Sequence, residues 1–116
     1  MFSNLIKQVW SQVSGLDNLL LVGTDGIVVS KHLERDEDDF LAAEAANLVK
    51  EGVRFGGELG TGSMRSLAAY FDNQIVLIQM VTDEYFLVGI LGDPKFMGQI
   101  RYQLMLKSYE WFSAIA

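Results

Sequence analysis

The chain has 116 residues, half of them hydrophobic and 21% charged, which suits a single domain over residues 1–116 and excludes intrinsic disorder. Fifteen acidic against nine basic residues give a net charge of −6, and with no basic tract, nucleic acid and anionic membrane surfaces are poor partners. Cysteine is absent, which removes disulfides and thiol chemistry and fits a reducing compartment.

Phe2, Leu5, Ile6, Val9, Trp10 and Val13 recur at three- and four-residue steps, predicting an amphipathic helix with Gly15 as its C-cap. Its apolar residues are spread out rather than gathered into a signal-peptide core. No apolar run anywhere approaches the roughly 18 residues of a spanning helix, and Phe2 replaces the glycine that myristoylation needs. Cytoplasm is therefore the expected location. A mean hydropathy of +0.21 is high for so small a domain and hints at an apolar interface.

Two apolar runs follow, 19–23 and 27–30, hinged on Asp25-Gly26. Asp-Gly between β-rich runs predicts a hairpin, with positive φ at both central residues. Residues 34–39 are mostly acidic and read as a solvated loop whose last aspartates cap the next helix. They lack the glycine and ligand spacing of an EF-hand, and His32 is the chain's one histidine, so no metal is expected. His32 is expected to be exposed at a strand end.

A second helix is predicted over 38–55. Leu41, Ala45, Leu48 and Gly52 share one stripe, while Ala42, Ala46, Val49 and Val53 share the next. Glu44, Asn47, Lys50 and Glu51 gather on the opposite side. This apolar arc is wider than one sheet contact requires. Either the whole arc is packed deeply, or one stripe meets the sheet and the other a second subunit. Gly56, Gly57, Gly60 and Gly62 come next, but without the Lys-Ser/Thr of a phosphate loop, so they read as helix end and turn.

Strand signals at 66–71, 74–81 and 85–91 are separated by short polar breaks and predict an antiparallel meander. Gly92-Asp93-Pro94 then starts a last helix carrying Phe96, Met97, Ile100, Leu104, Leu106, Tyr109 and Ala114, whose aromatic end is expected to be packed down. No nucleophile elbow appears, and adjacent Asp83 and Glu84 make a better turn than an acid/base pair. Arg54 and Arg65 have the chemistry of an arginine finger toward a GTPase, but structural or interfacial roles are the preferred reading. No catalytic, cofactor-binding or metal-binding residue is assigned, and no enzyme is expected.

V-G-T-D-G-I-V-V-S at 22–30, L-A-A-E-A-A-N-L at 41–48, G-E-L-G-T-G-S at 57–63 and D-E-Y-F-L-V-G-I-L at 83–91 together resemble the roadblock family, also called the dynein light-chain seven type. The likeness spans about residues 2–107 and looks prokaryotic. It implies a roadblock/profilin-like α+β fold, a five-stranded antiparallel sheet flanked by helices in the order α-β-β-α-β-β-β-α. It also implies a homodimer made by the second helix and third strand, here Ala42, Ala46, Val49, Val53, Leu67 and Ala69. The implied role is a non-catalytic, cofactor-free regulator or scaffold for a small Ras-like GTPase, bound through Glu44, Asn47, Lys50 and Glu51. A nucleotide-independent adaptor in a motor, cytoskeletal or signalling complex is the alternative, and a small-molecule sensor a third reading.

Overall fold

Strand order rather than strand number sets the architecture. The computed structural model describes residues 2–115. Its elements are α1 (Phe2–Gln12), β1 (Asn18–Gly23), β2 (Val28–Lys31), α2 (Asp38–Leu59), β3 (Ser66–Tyr70), β4 (Ile75–Met80), β5 (Tyr85–Leu91) and α3 (Met97–Ile115), with a 3-10 turn at Pro94–Phe96 leading into α3. The five strands form one antiparallel sheet in the order β2-β1-β5-β4-β3. β1 and β5 are therefore central, and β2 and β3 are the edges. This is the expected α+β fold.

Leu19 to Val22 form an unbroken apolar run because helices cover both faces of β1. Leu19 and Leu21 pack with Ile6, Val9, Ile100 and Leu104 on the α1/α3 side. Leu20 and Val22 pack with Ala42, Ala45, Ala46 and Val49 on the α2 side. Successive side chains alternate between two cores, as the period of a strand demands. The side chains of Phe2, Leu5 and Ala114, assigned to apolar faces from sequence, lie outside the described residues.

Five local expectations are corrected. In the Asp25-Gly26 hairpin only Gly26 has positive φ, at 87°; the Gly26 N–H donates to Gly23 C=O, and Asp25 Oδ1 accepts from the Ile27 N–H. A single left-handed glycine after an ordinary turn closes the hairpin, so Asp25 keeps negative φ. α2 runs through Gly56 and Gly57 and ends at Gly60, whose left-handed φ of 70° lets its N–H cap the last carbonyls. The acidic loop is anchored by a fully buried Asp38. The Asp38 carboxylate accepts from Asn18 Nδ2 at 2.9 Å and the Arg35 N–H at 3.1 Å, with Lys31 Nζ 3.8 Å away, so the buried charge is partnered. His32 is half-buried, stacked on Trp10 at 4.4 Å between ring centroids.

The end of α3 is the fifth correction. Met97, Ile100, Leu104 and Ser108 form its buried stripe, yet Tyr109 is 58% and Phe112 51% exposed. Placing a carboxylate at Ala46, which is 2% exposed against the sheet, leaves it neither room nor a partner. Ala46→Glu is expected to lower unfolding free energy by about 3 kcal/mol or more, read from the urea midpoint.

Candidate protein-interaction surface

β3 is a regular, unbulged edge. The Met80 N–H donates to Arg65 C=O at 2.9 Å and the Phe71 N–H to Gln74 C=O at 2.8 Å, bracketing the β3–β4 ladder. Bonded pairs alternate in an antiparallel ladder, so Leu67 and Ala69 bond to β4. The N–H and C=O groups of Ser66, Ala68 and Tyr70 consequently face outward. Leu67 packs on the α2 side, and Ala69 shares that face by alternation. The opposite edge is different. β2 has only four residues, carries Lys31, and shifts register against β1 between Leu21 and Val22, all of which discourage further pairing.

α2 carries the neighbouring apolar surface, but not on the stripe expected. Ala42, Ala46 and Val49 are at most 2% exposed because they seat the helix on its own sheet. They are unavailable to a second subunit. The physical reason is size: small side chains let a helix lie close to a sheet, so the alanine stripe turns inward. Val53 continues that stripe but is 52% exposed. Leu67 and Ala69 are half-buried on the edge strand.

The free apolar flank is formed instead by Leu48, Phe55 and Leu59, which are 40%, 59% and 60% exposed. Leu41, Leu48 and Phe55 are seven residues apart, the spacing that keeps side chains on one flank of a helix over several turns. That repeat was present in the sequence and could have identified the flank. Gly52 falls between them, and a Cβ there would collide with the Met64 thioether, so Met64 folds over this point of the helix.

Glu44, Asn47, Lys50 and Glu51 are all exposed, and the structure brings them together on the outer side of α2. Arg54 sits beside them, donating to Glu51 at 2.9 Å and to Glu58 at 2.8 Å. Donating to Glu51 and then to Glu58 holds its pKa above the usual guanidinium value. Both of its carboxylate partners lie on its own helix. Among the described residues, no group of three or more His, Cys, Asp or Glu is placed to hold a metal ion, and no helix is long and apolar enough to cross a membrane.

The Roadblock/LC7 domain model matches residues 5–90. The chain belongs to the Roadblock/LC7 family. A Roadblock/LC7 domain from Streptomyces avermitilis superposes with a TM-score of 0.84 at 21% identity, over 97% of this chain and 96% of that one. MglB from Myxococcus xanthus superposes with a TM-score of 0.85 at 16% identity, over 97% and 92%. Profilin II from Acanthamoeba castellanii does so with a TM-score of 0.71 at 13% identity, over 98% of each, which makes the fold profilin-like. No curated protein matches the chain in sequence. The Roadblock/LC7 fold is a regulatory and adaptor fold rather than an enzymatic one.

The Gly52–Met64 contact makes a coupling test. Glycine to alanine inside a helix normally stabilises by about 1 kcal/mol. Gly52→Ala is expected to deliver less than that in the wild-type roadblock domain, because the flexible Met64 thioether must move aside. In a Met64→Ala background the same change should give its full gain, as a double-mutant cycle by thermal unfolding would register.

Proposed function

We propose that this chain is a homodimeric, non-catalytic regulator or scaffold for a small Ras-like GTPase, working in the cytoplasm. The carrying observation is the open β3 edge lying next to the exposed apolar flank of α2. Two copies related by a two-fold axis satisfy both features at once. The outward backbone groups of Ser66, Ala68 and Tyr70 pair with their counterparts, extending the sheet. Leu48, Phe55 and Leu59 then cover each other across the axis, with Leu67 and Ala69 beneath them. This takes the place of an interface through Ala42, Ala46 and Val49. The contact also hides a strand edge that otherwise invites uncontrolled pairing.

Glu44, Asn47, Lys50 and Glu51 stay on the outer side of the paired helices and supply the GTPase-facing surface. The family resemblance supports a Ras-like partner. Regulation would run through holding the partner's mobile segments in one arrangement, since Arg54 is already engaged by Glu51 and Glu58.

Light scattering after size exclusion should give a mass near twice the 13.0 kDa protomer. Ala68→Pro removes only an outward N–H, so it should keep the far-UV circular dichroism and run as a monomer. Phe55→Glu should do the same. A wild-type monomer would remove the dimer. Immobilised wild-type protein should capture a small GTPase loaded with a GTP analogue more strongly than its GDP form; equal capture would identify a nucleotide-independent adaptor instead.

A further inference from the structure

An open cleft of about 1490 Å³ runs across the β4–β5 end of the sheet. The second half of α2 forms one wall, through Val53, Arg54 and Gly57, and α3 forms the other, through Arg101, Met105 and Phe112. Val53 is exposed here because α2 outruns the sheet that covers the rest of its stripe. On α3, Tyr109 and Phe112 are each about half exposed where they line the cleft. Met105, Tyr109 and Phe112 lie beyond residue 90, where the family match stops.

The charge of the cleft runs against that of the chain. The whole molecule is −6, yet Lys50, Arg54, Arg65 and Arg101, four of its nine basic residues, line this one cavity, against Asp83 and Glu84. Arg54 is tied to Glu51 and Glu58. Among the described residues no carboxylate pairs with Lys50, Arg65 or Arg101. The same cleft is also lined by Val53, Met64, Met80, Met105 and Phe112. Methionine-rich surfaces adapt to apolar side chains of varied shape, and guanidinium groups pair with carboxylates in a fixed fork.

We propose that this cleft is a second docking site, which takes an acidic amphipathic helix of another protein. The charge pattern selects acidic segments, and the apolar side chains of the lining take the segment's apolar face. Its volume exceeds the roughly 300–1,000 Å³ of small-molecule pockets. An open trough between two helices suits a third helix, which is about 10 Å across. The α2 wall of the site lies away from the proposed dimer flank: at the helical spacing of α2, Val53, Arg54 and Gly57 fall opposite Leu48, Phe55 and Leu59. Met64 and Ser66 also line the cleft and form its β3 margin, next to the proposed dimer contact. Dimerisation therefore borders the cleft at β3 and leaves its α2 and α3 walls open.

The probe is a fluorescein-labelled peptide of roughly 14 residues, with leucine at helical i, i+4, i+7 positions and glutamate elsewhere. Its control carries lysine in place of every glutamate. Polarisation titration against the full chain should saturate for the acidic peptide, weaken with added salt, and show no saturation for the basic one. Arg101→Glu, an exposed change that leaves the core intact, should weaken binding by about tenfold or more. Met105→Asp should do likewise, while Tyr102→Ala, on the outer flank of α3, should not. Equal binding of both peptides, no saturable binding of the acidic one, or indifference to Arg101→Glu would overturn the proposal. The dimer mass and the GTPase capture are read separately, so failure here leaves those results standing.

Discussion

The seating of α2 on the sheet is the contact on which the rest depends. Ala42, Ala45, Ala46 and Val49 meet Leu20, Val22, Phe86 and Val88 with almost no exposed surface between them. Methyl-sized side chains bring the helix close to the strands, and bulky strand residues fill the space around them. Once that stripe is committed inward, the rotation of the helix is set. Leu48, Phe55 and Leu59 are left on one flank, Glu44, Asn47 and Glu51 outside, and Val53 and Gly57 over the end of the sheet. One packing decision thus allocates three surfaces.

The start of α2 is held as firmly as its middle. Asp38 draws Asn18 from β1, the Arg35 backbone and Lys31 from β2 onto one buried carboxylate. A buried carboxylate is tolerated because its oxygens are partnered, and losing any partner would leave a costly charge. The far end of the helix has no such anchor. It ends in glycines and is fastened by Met64 folding back over Gly52. The helix is therefore rigid where it joins the sheet and open where it leaves it, which is where both the apolar flank and the cleft are found.

The two sheet edges divide the work in a similar way. β2 is short, bulged and next to Lys31, so it resists pairing. β3 presents regular outward groups beside apolar side chains, so it invites pairing with a second copy. In the proposed assembly, association and docking use opposite flanks of one helix. The flank beside β3 is apolar, and the other faces a cleft lined by both apolar and cationic side chains.

Element order, the Asp-Gly hairpin, the meander and the two-core alternation of β1 were all legible in the sequence, because periodicity and turn chemistry act over a few residues. The resemblance carried by four short motifs was likewise enough for the family. Local patterning also gave two adjacent apolar stripes on α2, but not which of them turns inward. That choice depends on the distance between helix and sheet, a tertiary quantity that favours alanine over leucine. The length of α2 was underestimated because Gly56 and Gly57 are tolerated once the helix is held elsewhere, and Gly60 stops it. The cleft was invisible for the same reason. Lys50, Arg54, Arg65 and Arg101 are scattered along the chain, and only the overhang of α2 and α3 past the end of the sheet gathers them around one cavity. Sequence alone determined the elements and their order, since those follow from neighbours in the chain; the tertiary structure decided which faces remain free, since that depends on how closely elements distant in the chain can pack.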